Sequence, residues 1–487
     1  MSHQHLLLSM LLLLFLPSVI FVDGLRHVNV NSQRYTVPGN PGVRIRLTKK
    51  GMNHMKSVAV ELFNEQIAQM KDYSTQVPID QVGFHGTARV HVQGAVDGSL
   101  VGLTVALTTD FAFDANGNLA AYVNNCSTVI SRSHFDIRPN GPFSTLVKTM
   151  EGTINNGIGR RMPEMFCSRL KRIIENNSPK MFAKLSSAKF DKYFNNQNVE
   201  QSLIKRFITD LASGLVMDNR IMETPTVTNE YIETRHVGEV KYDTSPESAP
   251  FYPRPLRLPF FAGKMMHFYA SDFVFNSLLY HAYQNNKLNV KISADDLPPE
   301  QKSFLETTCS LYCVGSLLPA IKKMYPNTTT SFFAIPHGLP HFRFAGDAAD
   351  VKFSNRILTY VKKNGKDKQL MVSSVDGQSD LVFSTDGEVF RSNLTLNKLN
   401  VRLHRASISG IDGKSVSSLT PLAKTFIGPQ LSKQLQKGIP LPLKDSLRFQ
   451  DTAIIQHDGF MELATNFQLK KDELRPLVKE AFNDINF

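Results

Sequence analysis

Residues Asn40 to Met70 read NPGVRIRLTKKGMNHMKSVAVELFNEQIAQM, which indicates a short strand followed by a long amphipathic helix. A period of 3.6 residues gathers the apolar side chains of the second part on one face. These are Met52, Met55, Ala59, Leu62, Phe63, Ile67 and Met70. Methionine is flexible and fills irregular or changeable space. The face could therefore seal a protein core or line a cavity that holds an apolar ligand.

The first 24 residues are typical of a secretory signal peptide. The segment from Leu6 to Val22 is almost wholly apolar, and Val22 and Gly24 place small residues where a peptidase would cut. No Lys or Arg precedes it, so a membrane anchor is the competing interpretation, but Pro17 and the small-residue exit favour cleavage. We expect the mature chain to be secreted and extracellular.

Cysteines, glycosylation sequons and charge agree with export. The four cysteines suit an oxidising compartment. Glycosylation sequons occur at Asn125, Asn176, Asn327 and Asn393. The net charge of +12 is spread over both halves of the chain, which argues against a dedicated nucleic-acid footprint and favours a general attraction to anionic surfaces, or simply a basic secreted protein.

The chain is too long for one ordinary core and divides at a proline-rich centre. Residues 245–262 contain five prolines, which predicts an extended, stiff linker between an N-terminal domain (25–244) and a C-terminal domain (263–487). In both halves, Asn-Gly and Asp-Gly turns separate alternating apolar runs, which is typical of antiparallel sheet. Helical patterns also occur at Phe143–Ile174, Ser271–Tyr283, Pro299–Tyr325 and Ser417–Lys437.

The motifs of common enzymes are missing from the sequence. There is no G-x-S-x-G or H-E-x-x-H motif, and Gly413-Lys414-Ser415 lacks the upstream glycine of a phosphate loop because that position is Ile408. We therefore expect no catalytic residues, no metal site and no cofactor.

The cysteines fall into two pairs. A bond between Cys126, in a strand-like run, and Cys167, in a helical pattern, would join helix to sheet. Cys309 and Cys313 lie four residues apart on a predicted helix, a spacing that suits a disulfide poorly. Buried thiols, a disulfide in a distorted turn and pairing with another chain all remain open for them.

Several segments, in order along the whole mature chain, resemble one family. They are NPGVRIRLTKKG at 40–51, the Cys126 and Cys167 pair, METPTVTNEYIE at 222–233, SDFVFNSLLYHAY at 271–283, LLPAIKKMYPN at 317–327 and KGIPLPLKDSLRFQDTAIIQHDGF at 437–460. The family comprises bactericidal/permeability-increasing protein, lipopolysaccharide-binding protein and the phospholipid and cholesteryl ester transfer proteins. The resemblance implies an α+β fold with two tandem tubular lipid-binding domains, each a long helix wrapped in a curved antiparallel sheet. A central sheet would join the domains into a boomerang, and Cys126 and Cys167 would form the disulfide of the first domain.

The resemblance and the residues together predict a lipid-binding or lipid-transfer glycoprotein without catalysis. Its partners would be phospholipids or other acyl lipids. The predicted lipid-binding residues are Met52, Met55, Ala59, Leu62 and Phe63 in the first domain, and Phe273, Leu278, Leu279 and Ala282 in the second.

The alternative is an innate-immune binder of bacterial lipopolysaccharide that acts against bacteria, or a protein that binds lipoprotein or membrane surfaces. Endotoxin-binding members of the family carry a basic hairpin at the tip of the first domain. The corresponding stretch here supplies only Arg89, with Lys49 and Lys50 nearby in the sequence. These three residues form the candidate lipopolysaccharide site.

Overall fold

The computed structural model describes most of the chain beyond the leader. It covers residues 39–476 except for 68–72, 82–83, 93, 114–118, 140–143, 150, 190–202, 246, 260–262, 298, 310–311, 364 and 442–446. The predicted signal peptide therefore lies outside the described residues.

The fold is mixed, with helices and strands in both halves. The α-helices with both ends in the described part are α1 (Lys49–Ile67), α2 (Ser144–Thr149), α3 (Glu151–Leu185), α4 (Leu203–Ala212), α5 (Asp272–Gln284), α6 (Pro299–Lys302), α7 (Val314–Leu317), α8 (Pro319–Met324), α9 (Gly413–Ser417) and α10 (Leu419–Lys437). None of the described helices combines the length and the apolar character needed to cross a membrane.

The described strands are antiparallel to their neighbours. In the first half they are β1 (Val43–Thr48), β2 (Tyr73–Gln81), β3 (Phe84–Val92), β4 (Gly94–Phe113), β5 (Leu119–Pro139), β6 (Ser187–Lys189), β7 (Leu215–Asp218), β8 (Thr226–Val227), β9 (Tyr231–His236) and β10 (Glu239–Tyr242). In the second half they are β11 (Met266–Ser271), β12 (Val290–Ile292), β13 (Thr330–Pro336), β14 (His341–Ala345), β15 (Ala348–Lys363), β16 (Lys366–Thr385), β17 (Val389–Ala406), β18 (Ile439–Pro440), β19 (Leu447–His457) and β20 (Phe460–Leu469).

A central sheet is built from both halves of the chain. Its strand order is β19-β20-β11-β1-β9-β8, so β1 of the first half pairs with β11 of the second. Arg46 lies opposite His267 on one side and Glu233 on the other. The two halves of the chain are thereby joined by backbone hydrogen bonds.

Long hairpins confirm the antiparallel sheet predicted for each half. In the first half, β4 and β5 pair from Gly94 opposite Pro139 to Phe113 opposite Leu119. In the second half, the strand order is β12-β13-β15-β16-β17-β18, with β14 on β15.

Helix α3 protects the free edge of β5 with side-chain hydrogen bonds. The Ser178 hydroxyl accepts a hydrogen bond from the Ala121 amide (2.9 Å), and the Glu175 carboxylate accepts one from the Val123 amide (3.0 Å). An unprotected strand edge would offer these groups to another chain. The helix continues to Leu185, beyond its predicted end, and contains Pro163 and Pro179.

Helix α10 covers the edge of β17 in the same manner. The Leu394 amide donates a hydrogen bond to the Ser432 hydroxyl (3.4 Å), and the Lys424 ammonium donates one to the Asn397 carbonyl (3.0 Å). Each half thus closes one edge of its sheet with a long helix.

The early helix of each half packs against the other half. Helix α1 lies in a core cluster with Leu463 and Phe467 of β20, and Glu61 on α1 is paired with Lys471. Reciprocally, Val274 on α5 shares a cluster with Val240 of β10. The two halves are therefore interlocked by side chains as well as by the central sheet.

The prediction of one helix over Pro299–Tyr325 is wrong. Its described residues contain the short α-helices α6, α7 and α8 and a 3-10 helix at Ser303–Leu305, and Glu306, which follows the 3-10 helix, forms a β-bridge with Thr329. Cys309 and Cys313 form a disulfide in this non-helical loop, with Cα atoms 6.1 Å apart. Of the three alternatives, the structure has the disulfide in an irregular turn.

The described part of the proline-rich linker has neither helix nor strand, but it is packed against the protein. The Phe251 ring makes edge contacts with Phe273 and Tyr280 of α5, at centroid distances of 5.9 and 5.8 Å. The buried Glu239 carboxylate accepts hydrogen bonds from the Ala249 amide and from His281 (2.6 and 2.8 Å), if the ring nitrogen of His281 carries a proton. The linker is held in place by these contacts as well as by its prolines.

Candidate functional site

The apolar face of α1 is largely closed. Met55, Leu62 and Ala59 are only 2%, 1% and 7% exposed, and they belong to a cluster that includes Phe467. Met52 is partly buried at the margin of this cluster, and the side chain of Phe63 lies outside the described part. Of the residues predicted to bind lipid in the first half, Met52 keeps accessible apolar surface.

Helix α5 divides its predicted lipid-binding residues between two environments. Phe273 and Ala282 are buried, whereas Leu278 and Leu279 are half-buried. Leu278 packs on the cluster shared with β10, and Leu279 packs on an aromatic cluster beside β14. The structure therefore brings only Leu279 to the aromatic side of the second half.

The aromatic cluster is dense and lies at one end of the sheet formed by β12 to β18. It contains Phe275, Phe342, Phe344, Phe383 and Phe390. The Phe275 and Phe342 rings stack with centroids 4.3 Å apart, and Phe342 meets Phe344 edge-on at 4.9 Å. Such offset and edge contacts are favourable beyond simple burial.

A row of half-buried apolar side chains continues from this cluster along β15, β16 and β17. The row, which we call the apolar row, consists of Phe353, Ile357, Val375, Leu394, Leu396 and Leu399. Strand register places them on one face of the sheet, since Phe353 lies opposite Gly377 and Gly377 opposite Leu399. At its far end the row reaches a second cluster that contains Val401 and Leu403.

Gly377 provides the space in which the Phe353 ring lies. A Cβ atom at residue 377 would come within 2.1 Å of that ring, so no larger residue fits without moving it. The Phe353 ring therefore lies over Gly377, within the apolar row.

The sequence analysis did not select the apolar row. The sequence signal for the row is the alternation of apolar and polar residues in β17. Leu394 and Leu396 alternate with polar residues, and Leu399 continues the apolar face after a β-bulge. Alternation predicts a strand with one apolar face. It does not reveal whether that face is fully covered.

The three residues of the candidate lipopolysaccharide site lie on two separate elements. Lys49 and Lys50 begin α1 beside the central sheet, where the Lys50 ammonium donates hydrogen bonds to the Gly263 carbonyl (3.2 Å) and to Asn466 (3.1 Å). Arg89 lies in the hairpin of β2 and β3, opposite Gln76, and its side chain is outside the described part.

The structure locates the predicted disulfide and the four glycosylation sequons. Cys126 and Cys167 form the disulfide that the family resemblance implies, which joins β5 to α3. Asn125, Asn176, Asn327 and Asn393 are all exposed, so each sequon is accessible to glycosylation in the folded protein.

One face of the central sheet carries a buried ionic cluster. Both oxygens of the Glu233 carboxylate are bound: Arg46 donates two hydrogen bonds to one oxygen (2.8 and 3.1 Å), and Arg44 donates to the other (3.0 Å from Nε). The Arg46 guanidinium also stacks on the Tyr231 ring at 4.1 Å. Burial raises the pKa of Glu233, but the charge of Arg44 and the hydrogen bonds from both arginines outweigh it, and the net pKa is lowered.

A second buried carboxylate lies on the same sheet. Glu462 is hydrogen-bonded to His267 (2.7 Å) and to His457 (3.1 Å). Burial raises the pKa of Glu462, but the hydrogen bonds from the two histidines lower it by more. The net pKa of Glu462 is therefore lowered. These contacts link β19, β20 and β11, three neighbouring strands of the second half.

His236, at the end of β9, makes stability depend on pH. Burial lowers its pKa to about 4, although its hydrogen bond to the Asn219 carbonyl opposes the shift. In the unfolded chain His236 binds a proton below about pH 6.5, whereas in the folded chain it does so only below about pH 4. The free energy of unfolding therefore falls as the pH drops from about 6.5 to about 4. Between about pH 7 and about pH 5 the loss should be about 2 kcal/mol.

The measurement is urea unfolding across this pH range for the wild type, H236Q and a control, H404Q, whose histidine is exposed on β17. We expect H236Q to lose most of this pH dependence and H404Q to retain it. An unchanged slope in H236Q would show that His236 is not the group responsible.

Within the described ranges, no group of three or more His, Cys, Asp or Glu side chains is arranged to hold a metal ion.

Comparisons with known proteins agree with the resemblance. Residues 209–469 match the model of the LBP / BPI / CETP family, C-terminal domain. The chain is 20% identical to bactericidal permeability-increasing protein of Sebastes schlegelii, over 89% of this chain and 96% of that protein. It is 22% identical to the lipopolysaccharide-binding protein of Homo sapiens, over 77% of this chain and 73% of that protein.

Among solved structures, the chain is similar to a crystal structure of lipopolysaccharide binding protein. The identity is 18% and the TM-score 0.40, with 88% of this chain and 99% of that chain covered. The family model alone spans more than half of the chain. The protein therefore belongs to the LBP / BPI / CETP family of non-catalytic lipid-binding proteins.

Proposed function

We propose that the protein is a secreted glycoprotein that holds phospholipid-like acyl chains in apolar pockets and transfers them between lipid surfaces. In this proposal each half is a tubular domain in which a long helix and a curved sheet enclose the lipid, and the two form a boomerang. Two disulfides, four exposed sequons and the signal-like leader support secretion.

The observation that carries the proposal is the apolar row of the second half. Six large apolar side chains share one sheet face and keep part of their surface accessible, between two closed clusters. Covering such a surface with an acyl chain gains about 0.8 kcal/mol per buried methylene. The six side chains of the row carry no hydrogen-bonding groups themselves, so an acyl chain can lie against them without leaving their atoms unpaired.

Among the residues selected from the sequence, Met52 and Leu279 are the ones we propose to touch lipid. Met52 lies at the margin of the α1 cluster and Leu279 at the aromatic end of the apolar row. Met55, Ala59, Leu62, Phe273 and Ala282 are buried among protein atoms, and we assign them to the walls that hold these surfaces in place.

Carboxylates in the apolar row should expel lipid. We expect the variant L396D/L399D, expressed in a eukaryotic secretory host, to bind a fluorescent phospholipid more than about a hundredfold more weakly, because a charge would be buried against acyl chains. The matched control is N397D/N400D, which changes exposed positions on the same strand.

Mass spectrometry of lipid extracts from the purified proteins, with circular dichroism to verify folding, completes the measurement. Wild type that is consistently free of lipid, or a double-leucine variant that binds as tightly as the control, would contradict the proposal.

A second candidate function is recognition of bacterial lipopolysaccharide, because relatives at about 20% identity bear that name. Arg89, Lys49 and Lys50 would supply the cationic contacts, although the Lys50 ammonium is already hydrogen-bonded to the protein. Salt-sensitive lipopolysaccharide binding that falls in the variant K49Q/K50Q/R89Q would favour this function over neutral-lipid transfer.

A further inference from the structure

Lysines are concentrated at the end of the second half where β15 turns into β16. We call it the lysine tip, and it consists of Lys322, Lys323, Lys362, Lys363, Lys366 and Lys368. All six are exposed. Two belong to the last turn of α8, and four flank the turn between β15 and β16.

Tyr325 holds these two elements together. Its ring is 7% exposed, and the ammonium groups of Lys363 and Lys368 each lie 5.7 Å from its centroid. This distance allows a cation–π contact and lets the lysine stems pack while their charged heads face water. The ring therefore draws charges of the hairpin toward those of α8, which immediately precedes it.

Two large apolar side chains are exposed at the same end. Met324, beside Tyr325, is 56% exposed, and Tyr312, in the disulfide loop, is 67% exposed. The loop is fixed beside the tip, because the Asn327 amide donates a hydrogen bond to the Thr308 hydroxyl (3.0 Å) and the Thr328 hydroxyl donates one to the Lys362 carbonyl (2.8 Å).

The tip has little acidic charge of its own. Across α8, the hairpin turn and the disulfide loop, Asp367 is the single acidic residue in the sequence, and its carboxylate lies 4.0 Å from the Lys291 ammonium. Six neighbouring ammonium groups repel one another unless an anionic surface faces them.

We propose that the lysine tip docks on the surface of an anionic phospholipid bilayer. The lysines would meet headgroup phosphates, and Tyr312 and Met324 would enter the interface, where aromatic and amphipathic side chains are favoured. A soluble polyanion would satisfy the lysines but leave both apolar side chains in water. The proposal does not depend on acyl-chain binding in the apolar row.

The test is flotation of the full-length protein with vesicles of phosphatidylcholine that contain about 30% phosphatidylserine, a composition that gives an anionic surface. The variant K322Q/K323Q/K366Q removes charges that make no contact with the Tyr325 ring. Binding should fall at least about tenfold in this variant, and also in the wild type when salt rises from about 0.05 to about 0.3 M. Vesicles of pure phosphatidylcholine should bind the wild type weakly.

The matched control is K398Q/K433Q/K437Q, with exposed lysines on β17 and α10. Lys398 lies opposite Gln378, ten residues from Lys368 along β16, or about 33 Å at ~3.3 Å per residue. The reference protein, called the wild type in this test, and all variants carry Thr329→Ala, which removes the neighbouring sequon but keeps Asn327, whose φ of +54° suits asparagine.

A second variant, Y312S/M324S, separates a bilayer from a soluble polyanion. It should weaken vesicle binding but leave heparin binding unchanged. Equal vesicle binding by the tip and control variants, or equal binding to neutral and anionic vesicles, would overturn the proposal. Lipid extracts of the tip variants should match wild type, so failure here is distinguishable from failure of acyl-chain binding.

Discussion

Replacement of Glu233 by glutamine is expected to lower the free energy of unfolding by about 3 to 5 kcal/mol, the range for a buried ion pair that loses one partner. The Glu233 side chain is 1% exposed, and those of Arg44 and Arg46 are 15% and 10% exposed. Glutamine keeps the shape of the side chain but leaves both guanidinium groups without a counter-charge. This cluster lies on β1 and β9, and β1 pairs with β11 of the second half. The loss of stability should therefore affect both halves.

Chemical unfolding of E233Q, monitored by far-UV circular dichroism, measures this effect. The control is E223Q, which removes the more exposed of the two carboxylates that pair with Arg235, the other being Glu233, and should change stability by less than about 1 kcal/mol. The double variant R46M/E233Q should recover part of the loss, because it removes one uncompensated charge while retaining the apolar stem over Tyr231. A value for E233Q close to that of E223Q would contradict the assignment of a buried ionic cluster.

Removal of the Cys126–Cys167 disulfide is expected to destabilise the first half by about 4 kcal/mol in the chain-entropy model, since the bond closes a separation of 41 residues. The expected consequence is more frequent opening of α3 from the edge of β5 within the folded protein. The hydrogen bonds of Ser178 and Glu175 would remain, but they would no longer be held in register by a covalent link.

The chain supplies its own matched control in C309A/C313A. That disulfide closes a separation of only 4 residues, so its loss should cost about 2 kcal/mol in the same model. Hydrogen exchange of the β5 amides should accelerate in C126A/C167A and not in C309A/C313A. Equal exchange in the two variants would show that the helix stays on the strand edge without the bond.

Much of the fold was accessible from local sequence patterns. The periods of 3.6 and 2 residues predicted α1, α5 and α10 and the long hairpins, because each depends on neighbours within a few residues. The helix predicted over Pro299–Tyr325 failed because a long-range bridge between Glu306 and Thr329 overrode its local pattern.

The candidate site was less accessible. The apolar face of α1 is a local property, but its cover comes from β20 and from Lys471, which pairs with Glu61 across 410 residues of sequence. No local pattern states that Met55 would be closed and Met52 left at the margin. The accessible apolar surface lies instead on β15, β16 and β17, where alternation alone does not distinguish a covered face from an open one.

By itself, the sequence determined the α+β class and the family, because these depend on periodicity, motifs and their order along the chain. Only the tertiary structure decided which apolar faces are closed, how Glu233 is neutralised, and that Lys363 and Lys368 of the β15–β16 hairpin lie at Tyr325, directly after α8. The physical reason is that burial and charge depend on what lies opposite a residue, and in this protein the opposing residues come from distant parts of the chain.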